Sequence, residues 1–263
     1  MQPEHSNSRL MVNGEILPCS QSANAITFAT WITDSRRLAI ALPENCPEGK
    51  FTVLVCPATE SQPSVILTFP RARFGPLPES GCWPVTSLSH LRSPLWQVRA
   101  DVEQDETLLQ PIAYLLLRNA LGKVWCYQRA GGDARLDACY SCGVGGHVDL
   151  ADSVPLATHP NTLDIDATVR NTLLRELCEE LHATPTDMGD LCLRGLVYEG
   201  LSPIGRVHIG VLYTAQWLPE QPPQPRAGEV LRGLGFMELA DISRESRFEL
   251  WTHLAVQHLM HLA

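Results

Sequence analysis

The sequence lacks the features that mark membrane, secreted and nucleic-acid-binding proteins. No apolar run approaches the roughly 18 residues that cross a bilayer, and residues 1–17 are polar, without the basic and apolar regions of a signal peptide. Basic residues are scarce, because 20 Lys and Arg stand against 29 Asp and Glu and give a net charge of −9. A chain with this charge repels a phosphate backbone. We therefore expect a cytoplasmic protein that binds neither nucleic acid nor membrane.

The nine cysteines, an odd number, do not form the pattern of a disulfide framework. Most lie in apolar segments, as Cys56, Cys126 and Cys178 do, and these are expected to be small buried side chains. Cys139 and Cys142 form a C-x-x-C pair, but no second pair or histidine stands at the spacing of a zinc site. The cysteine pattern therefore favours a structural role over a metal or redox role.

The length of 263 residues allows one large domain or two modest ones. With 44% hydrophobic and 19% charged residues, the chain has the composition of an ordinary globular protein. No repeat of fixed period is visible, and the 18 Gly and 20 Pro are spread without a period. Disorder, collagen and coiled coil are therefore excluded as the main architecture.

The apolar pattern divides the chain near residue 95. Four runs of strand type come first, and a passage rich in proline and glycine follows them up to Pro94. The four runs are Ala25–Ile32, Arg37–Leu42, Phe51–Cys56 and Ser64–Phe69. We predict that residues 1–94 form a smaller β-rich N-terminal region of unknown role, followed by a second domain at residues 95–263.

Strands and helices are mixed in the second half without strict alternation. The predicted strands are Pro111–Arg118, Lys123–Gln128, Leu191–Tyr198 and Arg206–Trp217. The predicted helices are Asp166–Leu181 and Arg247–Leu262. Asp164 or Asp166 is the expected N-cap of the first helix. Two prolines and few large apolar residues predict an exposed loop over Ser153–Leu163. This mixture predicts an α+β fold with a mixed sheet.

Three carboxylates crowd one face of the first predicted helix. Glu176, Glu179 and Glu180 fall within about 100° of one another around a helix, next to an apolar sector. Like charges at these spacings destabilise an exposed helix by roughly a few tenths of a kcal/mol per pair. A bound cation would offset that repulsion, and oxygen-only ligation suits Mg²⁺ before Mn²⁺ or Ca²⁺. A solvated acidic helix face is the alternative interpretation.

A glycine pair upstream of the helix adds a second part to the pattern. Gly145 and Gly146 end an apparent strand, and Asp152 follows Gly146 after five residues. The segment Arg175–Glu180 then reads R-E-L-C-E-E. Together these residues resemble the box of the Nudix hydrolase family, G-x5-E-x7-R-E-U-x-E-E-x-G-U, in which U is aliphatic.

The chain departs from this box in three places. Asp152 stands where the box has its first glutamate, and 22 residues separate it from Arg175 where the box allows 7. His182 replaces the late glycine, with Ala183 after it. The helical carboxylates are unaffected by these changes, but the longer connection leaves open whether Asp152 takes part in the site.

Further segments agree with a phosphoesterase-like subgroup of the family, and the resemblance covers about residues 96–263. These segments are Tyr127–Arg129, Ser141–His147 and Gly205–Gly210. The resemblance implies a Nudix-type α/β/α sandwich with a mixed sheet. It also implies hydrolysis of the pyrophosphate linkage in a nucleoside diphosphate linked to another group, with Mg²⁺, or Mn²⁺ in its place, as cofactor.

The resemblance also implies roles for individual residues. It makes Glu179 and Glu180 the main metal ligands, with the Gly146 carbonyl as a further ligand. Glu176 is a metal ligand or the base that orients water, and Arg175 holds a glutamate through a charge-assisted hydrogen bond.

In some family members the catalytic base comes from a late loop, for which Glu229 is the candidate here; an ordinary surface glutamate is the alternative. The expected partner is a small nucleotide, and a homodimer is left open as an alternative to a monomer. Weaker candidates for a base pocket or a phosphate contact are Trp125, Tyr127, Arg129, Tyr198, Arg206 and His208.

Two other functions remain open from the sequence. A nucleotide-binding regulator could keep the Nudix fold without turnover, although a protein without metal chemistry has little need for three clustered carboxylates. An isomerase of the isopentenyl type could share the fold, but its cysteine-bearing catalytic loop is not recognisable here. Release of phosphate or mononucleotide from a substrate panel with Mg²⁺ discriminates the hydrolase from both.

Overall fold

The computed structural model describes residues 64–129, 139–157, 162–229 and 231–262 with their side chains, and the strand backbone within residues 9–57 and at 159–161. The strands before residue 64 are β1 (Arg9–Val12), β2 (Glu15–Ile16), β3 (Cys19–Ser22), β4 (Ala25–Ile32), β5 (Ala39–Ala41) and β6 (Lys50–Pro57). They form two three-stranded sheets with the orders β2-β1-β5 and β3-β4-β6. The first three strand-type runs of the sequence correspond to β4, β5 and β6.

The elements after residue 64 are strands mixed with short and long helices. The strands are β7 (Val65–Pro70), β8 (Ser80–Trp83), β9 (Leu95–Val98), β10 (Leu108–Arg118), β11 (Val124–Arg129), β12 (Tyr140–Ser141), β13 (Gly143–Val144), β14 (Pro155–Leu156), β15 (His159–Leu163), β16 (Met188–Glu199), β17 (His208–Trp217) and β18 (Leu231–Met237). The helices are α1 (Arg99–Val102), α2 (Ile165–Glu180), α3 (Pro203–Val207), α4 (Leu239–Arg244) and α5 (Leu250–Leu262). Short 3-10 turns lie at Arg71–Phe74, Leu150–Asp152 and Pro185–Asp187.

One mixed sheet forms the centre of this part of the chain. Its main path has the order β12-β11-β10-β17-β16-β8, and β7, β13 and β18 pair with strands along it. The long strands β10 and β17 run parallel, from the pair Gln110 and His208 to the pair Arg118 and Gln216. Other neighbouring strands of the sheet, such as β16 with β17 and β11 with β18, pair antiparallel.

Helices cover both faces of the sheet. Successive side chains of a strand point to opposite faces. Leu115 of β10 accordingly joins the buried cluster that contains Leu173 and Leu177 of α2. Leu116 joins a second buried cluster, which contains Val256 of α5. The resulting layers of helix, sheet and helix confirm the predicted α+β fold and the predicted α/β/α sandwich.

Strands that precede residue 95 take part in this sheet. Phe69 of β7 pairs with Leu109 of β10, and Cys82 of β8 pairs with Val197 of β16. The sequence predicts that residues 64–94 belong to the N-terminal region, because the fourth strand-type run ends at Phe69 and a passage rich in proline and glycine follows it up to Pro94. Their hydrogen-bonded pairing makes β7 and β8 part of the same sheet as β10 and β16. The division of the chain into two domains stays a prediction.

The main predicted elements are present with shifted ends. Asp164 is the N-cap of α2, as expected. Strand β17 begins at His208 and not at Arg206, because Pro203–Val207 forms a helical turn that the Ser202 side chain caps. The patterns do not predict β18, which two glycines interrupt, or α4, which has only six residues. Among the described residues, no helix has both the length and the apolarity to cross a membrane.

The long connection between Asp152 and α2 contains a hairpin, so the prediction of an exposed loop over Ser153–Leu163 was wrong. Strands β14 and β15 pair antiparallel. The Val154 amide donates to the Thr168 hydroxyl of α2 at 3.0 Å. Leu163 is buried in the cluster on the α2 side of the sheet. Proline is tolerated in short edge strands, so the two prolines of this segment do not exclude pairing.

Candidate active site

Helix α2 presents the carboxylates because its ends are fixed on both sides. At its start, the Asp164 carboxylate accepts a hydrogen bond from the Ala167 amide at 3.0 Å. At its end, the Glu180 carbonyl accepts a hydrogen bond from the Arg226 amide at 2.8 Å, and the His182 amide donates to the Gln224 carbonyl. The loop before β18 therefore crosses the C-terminal end of α2.

Arg175 ties the helix to the loop after the glycine pair. Its Nε and Nη2 donate to the two Asp152 carboxylate oxygens, each at 2.9 Å. Nη2 also donates to the His147 carbonyl at 3.0 Å. Asp152 is buried and accepts a further hydrogen bond from the Thr172 hydroxyl at 2.9 Å. Asp152 thus contacts the site through Arg175, in spite of the long connection.

The same guanidinium holds two of the three helical glutamates. Nη1 of Arg175 donates to Glu176 Oε1 and to Glu179 Oε2, both at 2.8 Å. Glu179 is the exposed member of the pair, whereas Glu176 is largely buried. Burial raises the pKa of Glu176, and the Arg175 charge opposes that rise. The predicted hydrogen bond from Arg175 to a glutamate is therefore present to both residues.

The glycine pair lies directly against the helix. A Cβ atom on Gly146 would stand 2.3 Å from Glu176 Oε1, so a side chain there would displace the glutamate. Gly145 has φ +145, and a Cβ atom on it would meet the Ala113 carbonyl oxygen at 1.9 Å. The Gly146 carbonyl accepts the Ala113 amide at 2.9 Å. Only glycine fits at these two positions between β10 and α2. We call Gly145 and Gly146 the glycine passage.

Glu180 is a buried carboxylate with an incomplete set of partners. Its Oε2 has no hydrogen-bond partner among the residues that the structure describes. Burial, followed by repulsion from Glu176, raises its pKa to about 8. The Arg129 charge and a Gly145 backbone hydrogen bond oppose this rise, and Glu229 adds to it. The charge of the candidate late-loop base Glu229 thus acts on one helical carboxylate, that of Glu180.

The carboxylates are adjacent but do not already converge on one point. Within the described ranges, no group of three or more His, Cys, Asp or Glu side chains has the arrangement of a metal site. The chemistry of the donors nevertheless fits a hard divalent cation, since Glu176, Glu179 and Glu180 offer only oxygen. The unpartnered Glu180 Oε2 supports this fit, because a buried carboxylate oxygen is unfavourable without a donor or cation.

A cavity of about 570 Å³ lies along the other side of the glycine passage. Its walls include Gly145, Gly146 and the N-terminal turn of α5. Aromatic and aliphatic side chains form part of the lining, with Tyr114 and Trp251 packed edge to face at 5.6 Å between ring centroids. Charged side chains form another part, namely those of Arg99, Glu103, Arg129, Glu199 and Glu249. The Tyr114 hydroxyl bonds to Glu249 and Thr252, each at 3.1 Å. The cavity therefore has an apolar body and a polar wall.

A pair of histidines lines the same cavity. His208 Nδ1 lies 2.7 Å from the Ile204 carbonyl, which requires the proton on that nitrogen. His208 Nε2 lies 3.0 Å from His147 Nε2, which also lies 3.0 Å from the Gln110 side-chain oxygen. Burial, followed by the Arg99 charge, holds the pKa of His147 well below its usual range. His147 is therefore neutral at pH 7.

The weaker candidates from the sequence differ in whether they line the cavity. His208 and Arg129 line the cavity, whereas Trp125, Tyr127 and Tyr198 are buried in the core. The residues that sequence reasoning missed are Tyr114, His147, Glu249 and Trp251. Each lies in an ordinary strand or helix pattern or next to the glycines, and no spacing signal links them. Only the folding of β10, the glycine passage and α5 onto one another assembles this set.

Comparison with known proteins agrees with this architecture. No protein-family model matches the sequence. Protein YmaB of Bacillus subtilis is 28% identical over 166 residues, which are 61% of this chain and 76% of the relative. The crystal structure of Tm1382, a candidate Nudix hydrolase, superposes with a TM-score of 0.59 at 20% identity, over 76% of this chain and 100% of its own. A MutT protein from Methanosarcina mazei reaches only 0.42, at 15% identity over 59% and 94% of the chains.

The fold and the box together define the class. The layered mixed sheet, the superposition on Tm1382 and the position of R-E-L-C-E-E on α2 agree with one another. This chain therefore has the fold of the Nudix hydrolases, as the resemblance in the sequence predicts.

Replacing Asp152 by Asn should destabilise the protein without changing the shape of the site. The substitution keeps a hydrogen-bonding side chain but removes the charge that Arg175 contacts with two donors, so we expect a loss of about 3 kcal/mol in the free energy of unfolding. Urea denaturation at pH 7 measures it. The control is Asp241→Asn, in an exposed pair with Arg244, where the change should stay below about 0.5 kcal/mol. Equal losses in the two variants would contradict the assignment.

The raised pKa of Glu180 predicts an unusual pH dependence in the absence of divalent cations. A carboxyl that ionises near 8 in the folded state and near 4.5 in the unfolded state binds more protons when folded. Stability therefore falls as pH rises from about 5 to 8, by up to about 1.4 kcal/mol per pH unit from this group. Chemical denaturation in EDTA should show this slope in the wild type and a smaller slope in Glu180→Gln. Parallel curves for the two proteins would show that Glu180 ionises normally.

Proposed function

We propose that this protein is a hydrolase that depends on a divalent cation and cleaves the pyrophosphate linkage of a nucleoside diphosphate linked to another group. The observation that carries this proposal is Glu180, a buried carboxylate with one unpartnered oxygen beside Glu176 and the glycine passage. A helix that only faces solvent has no reason to bury a carboxylate in this way. A site that receives a cation does.

The residues suited to hold Mg²⁺, or Mn²⁺ in its place, are Glu176, Glu179, Glu180 and the Gly146 carbonyl. All four offer oxygen, which hard divalent cations prefer. The bound cation supplies positive charge that offsets the charge of a diphosphate and of its leaving group. Such positive charge is needed here because the chain itself carries a net charge of −9 and repels an anionic substrate.

The remaining residues of the site hold the carboxylates in position or accept the proton of the attacking water. Arg175 holds Glu176 and Glu179 at 2.8 Å from one nitrogen, so that the two carboxylates keep a fixed spacing. The proton of the attacking water passes to Glu176 or to Glu229. Glu229 lies in the loop that crosses the end of α2 and acts electrostatically on Glu180. We assign the base to one of these two glutamates.

The cavity next to the glycine passage suits the uncharged part of the substrate. Its volume of about 570 Å³ is typical of sites that enclose a small molecule. Aromatic walls at Tyr114 and Trp251 favour a planar or sugar-like group over a second charged phosphate. The substrate thus spans from the carboxylates, past Gly145 and Gly146, into the cavity.

A nucleotide-binding regulator with the same fold is the alternative. The contacts of Arg175 with Glu176 and Glu179 favour it, because they satisfy two carboxylates without any cation. Incubation with Mg²⁺ and a panel of dinucleotides, nucleotide sugars and nucleoside triphosphates discriminates the two functions. Release of phosphate or mononucleotide supports the hydrolase, whereas tight binding without release supports the regulator.

Glu179→Gln and Glu180→Gln should each lower kcat by at least about a hundredfold on the best substrate of that panel. The fold should persist, because the apolar face of α2 is unchanged and like-charge repulsion decreases. Initial rates at saturating Mg²⁺ measure the effect, and circular dichroism checks the fold.

The matched control is Glu238→Gln, an exposed glutamate paired with Lys123 away from α2, which should retain wild-type turnover. Near-normal kcat in both helix variants would show that these carboxylates do not hold the cation.

A further inference from the structure

Two exposed leucines line the cavity although they are distant in the sequence. Leu201 is 56% exposed and lies between β16 and α3, and Leu250 is 39% exposed and is the first residue of α5. Both border the cavity on its solvent side, and Trp251 lines it as well. Exposed apolar side chains grouped around a cavity are typical of sites that receive a ligand. We call Leu201 and Leu250 the leucine pair.

A buried glutamate fixes the backbone at Leu201. The Glu199 carboxylate accepts hydrogen bonds from the amides of Leu201 and Ser202 at 2.9 and 3.0 Å. Gly205 leaves room for this carboxylate, because a Cβ atom there would collide with Glu199 Oε1. The loop therefore cannot turn Leu201 inward without breaking two hydrogen bonds to a buried charge.

A second glutamate fixes the backbone next to Leu250. The Glu249 carboxylate accepts the Ser141 hydroxyl at 2.5 Å and the Tyr114 hydroxyl at 3.1 Å. The Glu249 amide also donates to the Tyr140 carbonyl at 2.9 Å. Both members of the leucine pair are thus held in solvent by an anchored backbone. A surface that is already ordered loses less conformational entropy when a ligand binds to it.

The charged side chains of the cavity lining already have partners in the protein. Arg99 Nε donates to Glu103 at 2.9 Å, and Arg129 lies 3.8 Å from Glu249 in an ion pair. Glu199 accepts the two loop amides. A sugar has hydroxyls on all sides and needs such groups as partners, whereas the faces of a planar ring need only apolar surface. The apolar part of the lining therefore suits a planar ring better than a sugar.

Trp251 adds a fixed aromatic surface to this apolar part. Its indole packs against β17, where a Cβ atom on Gly210 would stand 2.8 Å from the ring. Its edge-to-face contact with Tyr114 holds the ring on a second side. A rigid aromatic side chain in a cavity offers a large contact area to another planar ring.

We propose that the leucine pair and Trp251 bind a nucleobase, so that the cavity selects the planar base of the substrate over a sugar. This inference rests on the proposed function, which places the diphosphate at the carboxylates of α2 and an uncharged group in the cavity. The bound base removes the apolar surface of Leu201 and Leu250 from water, and this burial stabilises the complex. The two leucines are exposed, so the fold does not depend on them.

The test measures binding in EDTA with uncharged probes, so that neither turnover nor a bound cation affects it. The probes are adenosine, guanosine, cytidine and uridine, and methyl β-D-ribofuranoside, which has the same sugar without a base. Calorimetry of the wild type should show that the best nucleoside binds at least about tenfold more tightly than the riboside. In Leu201→Asn and in Leu250→Asn, the affinity for that nucleoside should fall at least about threefold, while the affinity for the riboside stays unchanged.

The matched controls are Leu218→Asn and Met260→Asn, whose side chains are 54% and 46% exposed and do not line the cavity. Both should keep the wild-type affinities, and thermal denaturation checks that each variant is folded. A wild type that binds no nucleoside more tightly than the riboside would overturn the inference. Loss of a dimer in sedimentation of the Leu201 and Leu250 variants, with unchanged nucleoside affinity, would assign the leucine pair to a contact between copies and overturn it as well.

Hydrolysis is measured separately on the Mg²⁺ panel. Nucleoside binding that both leucine variants weaken, without any wild-type turnover, would support the role of the leucine pair and reject the hydrolase. Turnover together with an unchanged nucleoside affinity in both variants would support the hydrolase and reject the role of the leucine pair.

Discussion

The candidate site depends on the contacts of one guanidinium group. Arg175 on α2 reaches both oxygens of Asp152 and the His147 carbonyl, and so fixes the loop after the glycine pair to the helix. The same group holds Glu176 and Glu179. Without this positive charge, the acidic residues on the loop and the helix would repel one another. The acidic face of α2 is therefore stable because a cation from the chain itself lies within it.

That stabilisation does not extend to Glu180. Burial and the charge of Glu176 raise the pKa of this residue, and the Arg129 charge and a Gly145 backbone hydrogen bond only partly oppose that rise. Arg175 and Arg129 thus differ in their contacts. Arg175 donates to protein oxygens from all three of its nitrogens, whereas Arg129 lies 3.8 Å from Glu249 and lines the cavity.

The connection before α2 is longer than the motif allows, so the spacing of the motif did not predict the contact between Asp152 and Arg175. Its 22 residues break the spacing of the box between Asp152 and Arg175, yet the two side chains meet at 2.9 Å. The hairpin of β14 and β15 takes up the extra length and returns the chain to the start of the helix. Sequence spacing measures distance along the chain, whereas the contact needs only that both ends return to the same place.

The sequence alone determined the elements whose signals are local. The period of Leu173 and Leu177, the Asp164 cap and the glycine pair predict α2 and its box, because propensity, capping and glycine geometry act over a few residues. The tertiary structure decided what depends on distant segments. The burial of Glu180, the effect of the Glu229 charge on it and the position of Arg129 at the cavity all arise where β11, α2 and the loop before β18 meet. The burial of a side chain and the electrostatic effect on it depend on every group nearby in space. A pattern along the chain does not show which distant segments supply those groups.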